Sequence, residues 1–198
     1  MSQDILVIAP IYQYHPILLH SLIAQQCKDW RLLLIHDGPP PIPLLHHIKA
    51  MDDPRIDFRW TDERANQFGH NLREWGIEIA KSDDRYKHQD ILGILHTNAD
   101  NYYTPGFIGH ARAVIMRNPV AAVYCDCIHN YKKWLHLKTE LKITCIDLGC
   151  MVIRADIAKK FGFPWREHSS DWTLFSKIIK EHGAEAIHKI NGIHFVHN

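Results

Sequence analysis

Apolar residues follow two rhythms along this chain. Short apolar-rich runs over 4–9, 31–35, 91–95 and 120–128 end in proline, glycine or polar residues and predict strands, and 56–60 reads as a further strand announced by the turn at Asp52-Asp53-Pro54. Between them, apolar residues recur at helical spacing, as in Leu18, Leu19, Leu22 and Ile23, or Leu72, Trp75, Ile79 and Ala80. The spacing predicts helices over 16–26, 43–51, 69–81, 105–116, 155–161 and 170–182. Another strand is expected within 143–153, with Gly149 marking a bend or close approach, and 186–196 reads as a final extended segment. The prolines at 39–43 mark a loop, and no repeat, low-complexity run or linker divides the chain. Early strands alternate with helices, so the expectation is one layered α/β domain over 1–198 with a largely parallel central sheet.

Composition adds exclusions. With 198 residues, 46% hydrophobic, 23% charged and a net charge of +1, the chain has no basic surplus for a broad nucleic-acid footprint. No run approaches the ~20 apolar residues of a membrane helix, and the start Met1-Ser2-Gln3-Asp4 lacks a basic leader, so a cytoplasmic location is expected. The five cysteines are odd in number and sit in apolar contexts, which reads as reduced, buried thiols. Cys125 and Cys127 with His129 resemble part of a zinc site, but no second ligand pair follows at zinc-finger spacing.

The chemistry concentrates at Asn98-Ala99-Asp100. This turn follows the apolar run 91–95 and delivers a carboxylate to the rim of a sheet, where ligands of α/β folds bind. Other motifs lie around it in order. Ala9-Pro10-Ile11-Tyr12-Gln13 ends the first strand, and Gln25-Gln26 with Trp30 ends the first helix. His36-Asp37-Gly38 ends the second strand, and Asn66-Gln67-Phe68-Gly69 with Arg73-Glu74-Trp75-Gly76 opens a helix. Gly149 to Arg154 and Ser170-Asp171-Trp172 follow, and His197 stands at the end.

In this order the motifs resemble the family 2 glycosyltransferases of the GT-A fold, from about Leu6 to His197. The resemblance implies a Rossmann-like sheet and inverting transfer of a sugar from a nucleotide-diphosphate donor, a UDP-sugar, to a glycan or other hydroxyl acceptor. It places Pro10, Tyr12, Asp37, Arg73, Asn98 and Asp100 around the nucleotide sugar. It makes Asp100 and His197 ligands of Mn²⁺ or Mg²⁺, and Asp171 the general base. In that scheme Asp37 accepts the ring N–H of the base and Tyr12 stacks on it, while Arg73 pairs with phosphate or holds the acidic turn. His70 and Asp147 are possible additions. A helix start is expected to hold Asp171 ionised and lower its basicity. Trp60, Trp134 and Trp165 read as packing residues, and the loops 129–146 and 162–170 as the carriers of acceptor specificity.

The chain departs from the family at Asn98 and Ser170, where acids are usual, and at Pro39, where Ser or Thr is usual. Those departures keep open a domain that binds a nucleotide sugar or a protein partner without transfer. A nucleotidyltransferase is disfavoured, because Pro10 to His15 holds neither glycine nor lysine for a phosphate loop.

Overall fold

The structure is a computed structural model, which describes residues 3–87, 91–167 and 169–198. The first half alternates strictly: β1 (Asp4–Ile11), α1 (Ile17–Ile23), β2 (Trp30–His36), α2 (Ile42–Met51), β3 (Ile56–Trp60), α3 (His70–Ser82), a single-turn α4 (Asp84–Lys87) and β4 (Ile91–His96). The second half adds β5 (Tyr102–Tyr103), α5 (Phe107–Arg117), β6 (Ala122–His129), β7 (Leu135–Leu137), β8 (Met151–Arg154), α6 (Ala155–Phe161), α7 (Ser170–His182) and β9 (Ile187–His197).

Among the described residues the strands form one nine-stranded sheet in the order β3-β2-β1-β4-β8-β6-β9-β5, with β7 beside β6. Strands β1 to β4, β6 and β9 share one direction, and β5, β7 and β8 run against them. The sheet is thus mostly parallel, as the alternating pattern predicts. All eight residues of β1 are buried between β2 and β4. Their side chains alternate between two cores: Ile5, Val7 and Ala9 pack towards α1 and α5, while Leu6 and Ile8 pack towards α3, α6 and α7. Fully buried aliphatics of this kind are worth about 1.5–3 kcal/mol each, which makes β1 the spine of both layers.

Some boundaries differ from the periodicity. The first helix stops at Ile23 because buried Gln25 turns away to tie the chain down. Its amide donates to the Thr104 carbonyl at 2.8 Å, and its oxygen accepts the Ile108 N–H at 3.1 Å. Of the stretch 143–153, only Met151 onward is strand. Thr144 has φ +65° and the Cys145 N–H bonds back to Lys142, so this part is a turn. The close approach expected at Gly149 is present: a Cβ there would lie 2.4 Å from the Phe195 ring.

Strand order reverses at β1, with β2 and β3 on one side and β4 on the other. In open α/β sheets ligands bind outside the carboxyl ends of the strands at such a switch point.

Candidate functional site

The carboxyl ends of β1, β2 and β4 open onto a cleft of about 560 Å³, within the size range of small-molecule sites. Pro10, Tyr12, Asp37, Asn98, Asp100 and His197 all line it. Asp37 leaves the end of β2 and accepts the backbone N–H groups of Ala65 and Asn66 at 2.8 and 3.0 Å. A carboxylate has about four acceptor positions, so capacity remains for a ligand N–H. Tyr12 is half exposed, with the Arg64 guanidinium 5.3 Å from its ring centroid. Pro10 packs so closely on Gly69, the N-cap of α3, that a Cβ there would come within 2.5 Å of it. Gly69 also has φ +74°, a conformation that glycine adopts without strain.

The acidic turn is fixed from below. The Thr97 N–H donates to the Ile8 carbonyl, and the Ala99 N–H donates to the Pro10 carbonyl. From the side, buried Arg73 donates to Asn98 Oδ1 and, at 3.1 Å, to the Phe68 carbonyl. Burial lowers the pKa of the Arg73 guanidinium, and the negative charges of Asp171, Asp147 and Asp100 oppose that shift. Of the two roles expected for Arg73, the geometry shows it holding the turn. Asn98 spends its oxygen on Arg73 and keeps its NH₂ group for a ligand. Asp100 Oδ1 is buried with no hydrogen-bond partner among the described residues.

A smaller cleft of about 180 Å³ adjoins the first, and Phe68, Asn98, Tyr131 and His197 line both. Asp171 lines the smaller one from the first turn of α7. Burial raises its carboxyl to about 6; Arg73 opposes the shift and Asp147 adds to it. The lowered basicity expected of a helix start is therefore overturned by desolvation. Ser170, next to it, shares a 2.9 Å hydrogen bond with His70 Nδ1 and donates to the Glu167 carbonyl.

At the far wall three side chains converge. His197 Nδ1 lies 3.0 Å from Asp147 Oδ2 and 2.8 Å from His129 Nε2, and the His129 nitrogen is 3.6 Å from the same oxygen. Although burial favours its neutral form, the imidazoles of His129 and His197 beside it hold Asp147 ionised, well below the usual carboxylate range. Burial disfavours a charged His197, but Asp147, Asp100 and Asp171 outweigh it and raise its pKa.

No family model matches the chain, and no curated protein matches it. Solved structures do. The chain superposes on Staphylococcus aureus TarS 1-349 in complex with UDP with a TM-score of 0.78 and 14% identity, over 98% of this chain and 60% of that one. The complex with UDP-GlcNAc gives a TM-score of 0.75 and 15% identity over 98% and 58%. The longer TarS structure gives 0.77 and 14% over 99% and 37%. The fold is GT-A. At such identity the likeness establishes the fold, and this chain spans less than two thirds of each of those structures.

The residues expected at the site fall into the two clefts: the nucleotide set and His197 in the larger, with Arg73 and Asp171 in the smaller. Asp147 is more central than the sequence suggested, and His129 and Tyr131 were not expected there. His129 reaches His197 only because β6 and β9 pair in parallel with those residues in register, a relation invisible in linear spacing. Cys125 and Cys127 point into the core, and all five cysteines are free. Trp60 and Trp134 are about half exposed rather than packed. Trp60 ends an edge strand, and Trp134 follows the positive-φ residue Lys133 in a turn. The stretch 129–146 does border both clefts, through Tyr131. In 162–170, His168 lies outside the described residues. No helix among the described residues is long and apolar enough to cross a membrane.

Proposed function

We propose that this chain transfers a sugar from a nucleotide-diphosphate donor, a UDP-sugar, to a hydroxyl acceptor with inversion, as a family 2 glycosyltransferase would. The observation that carries the reading is Asp171, a carboxyl raised to about 6 in a small cleft that adjoins a nucleotide-sized cleft at the switch point. The uridine donor is supported by the UDP and UDP-GlcNAc complexes of TarS, which shares the fold.

In this reading the base lies against Tyr12 and donates its ring N–H to Asp37, and the Asn98 amide donates to a ribose or sugar hydroxyl. The acceptor oxygen attacks the anomeric carbon as the bond to the β-phosphate oxygen breaks. The hydroxyl proton passes to Asp171 during attack, because a carboxylate near 6 cannot deprotonate an alcohol beforehand. The diphosphate leaves with the bonding electron pair. Arg73 holds the acidic turn in place and adds positive potential. Asp100 fits a hard divalent cation, Mn²⁺ or Mg²⁺, through its buried and unpartnered Oδ1, and His197 beside it offers Nε2, since Nδ1 faces Asp147. When bound, such a cation neutralises charge on the leaving diphosphate.

The test is thermal stability with UDP, GDP and dTDP, each with and without Mn²⁺, followed by UDP release from UDP-sugars. Ligand at a hundred times its dissociation constant adds about 2.7 kcal/mol, a shift of roughly 5–10 °C for this length. The expected result is a shift with UDP that needs metal and is lost in Asp100→Ala. No shift with any nucleotide would overturn the donor site. Binding without UDP release would favour the second reading, a domain that binds without transfer. The observation on its side is that Asn98 replaces a carboxylate and its oxygen is already spent on Arg73.

A further inference from the structure

His129 and His197 end the parallel neighbours β6 and β9 and are cross-strand partners. Asp147 comes from the loop that enters β8, which begins at the same end of the sheet. The side chains are only 12–17% exposed, shielded but reachable. Their converging atoms, His129 Nε2, His197 Nδ1 and Asp147 Oδ2, form a triangle with edges of 2.8, 3.0 and 3.6 Å.

Hydrogen bonding alone does not satisfy this triangle. Ionised Asp147 has no proton to give. The best single arrangement has the His197 Nδ1–H shared between the other two atoms, which leaves His129 Nε2 and Asp147 Oδ2 as two acceptors facing each other at 3.6 Å. Protonating His129 Nε2 as well sets two N–H groups head to head at 2.8 Å. A cation at the centre satisfies all three lone pairs. The circle through the three atoms has a radius of about 1.9 Å, so an ion about 2.1 Å from each donor sits about 1 Å above their plane. That is a facial three-donor arrangement with at least one position left open.

The surroundings fit. The other oxygen of Asp147 accepts the Gly149 N–H at 2.8 Å, which orients the carboxylate and leaves Oδ2 for the centre. The Tyr131 N–H is shared between Asn130 Oδ1 at 2.7 Å and His129 Nδ1 at 3.2 Å. An ion on His129 Nε2 moves the ring proton to Nδ1, and the Tyr131 N–H then keeps Asn130 Oδ1 as its acceptor.

We infer that His129, Asp147 and His197 form a site for a first-row transition-metal ion of the Zn²⁺ or Co²⁺ class, at the junction of the two clefts. Two imidazoles and one carboxylate favour such ions over Mg²⁺ or Ca²⁺, which prefer all-oxygen shells. Asp100 joins no three-donor group of this kind among the described residues, and His197 belongs to this site through Nδ1, not through the Nε2 that faces the acidic turn's cation in the reading above. The inference does not rest on the transferase reading, and its test needs neither nucleotide nor turnover.

The experiment titrates Co²⁺ into chelator-stripped protein and follows visible absorption, with Zn²⁺ and Mg²⁺ as competitors. The expected result is one equivalent of bound Co²⁺, displaced by Zn²⁺ and not by excess Mg²⁺. His129→Gln and Asp147→Asn should weaken binding by more than about a hundredfold, and Asp100→Ala by less than about threefold. A second measurement needs no variant. In the histidine ring spectrum of ¹⁵N-labelled native protein, Zn²⁺ should engage Nε2 of His129 and Nδ1 of His197. Absence of stoichiometric Co²⁺ binding would overturn the site. So would binding lost in Asp100→Ala and kept in His129→Gln, or Zn²⁺ held through Nε2 of His197 with His129 unchanged.

Discussion

The two halves of the sheet present side chains to the same crevice by different means. From β1 to β3 each strand lies beside its neighbour in the chain, joined by a helix, β4 returns to the free side of β1, and the site residues sit at the strand ends or in the turns just after them. Pro10, Tyr12, Asp37 and Asp100 are placed once the strand ends are known. From β6 to β9 the strands mix directions, and β6 pairs with a strand some sixty residues further on. His129, Asp147 and His197 meet there through register. Strand-end chemistry is local and survives as a motif, whereas register chemistry exists only in the assembled sheet.

The comparison breaks most visibly at Asp171, which belongs to neither strand set. Asp171→Asn should lower transfer by about 10²–10⁴-fold while UDP binding stays within a few-fold, measured by UDP release and by thermal shift. Equal losses in both would make Asp171 a structural residue. Next comes Arg73, the buried cation that holds the first half's acidic turn. Arg73→Met leaves Asp171, Asp147 and Asp100 without their counter-charge and should cost about 3–5 kcal/mol in urea unfolding.

Asp171 also gives a pH signature. Its folded pKa of about 6 exceeds the ordinary 3.8, so the folded state holds the proton more tightly than the unfolded chain. The stabilising contribution is present below about pH 4 and is lost as pH rises through about 6. Asn mimics the protonated acid, so Asp171→Asn should raise stability at pH 7 by about 2–3 kcal/mol even as it removes activity. In the native chain, activity should fall as pH drops through about 6, because the base must be ionised.

The halves should also differ under overpacking. Gly149→Ala drives a methyl into the Phe195 ring and should cost about 1–3 kcal/mol, with the damage confined to the second half. Amide exchange would rise along β9 and stay low along β1. The smallest effect is expected at exposed Trp134, where Trp134→Ser should change stability by no more than about 0.5 kcal/mol.

Much of the fold was legible because burial and periodicity agree in the first half. The runs at 4–9, 31–35 and 91–95 are buried strands, and the faces they alternate between are the two cores. Elements held by tertiary partners rather than by their own pattern were not legible. Two-residue β5 exists because β9 pairs with it, and β7 has only three residues against β6. Helix α1 ends early because buried Gln25 finds partners near α5. At the site, residue types and order located the two carboxylates, but chain order could not reveal that desolvation would outweigh the helix start at Asp171. Nor could it bring His129 to His197, since that requires both strands, their direction and their offset.

That offset has a consequence in time. Closing a contact across 68 residues is entropically costly and comes late compared with the neighbouring pairings of β1 with β2. A slip of β9 by one residue would turn Phe195 out of the core and carry His197 to the opposite face. The paired imidazoles are thus a checkpoint on assembly: they meet only in a chain that has finished folding in the correct register.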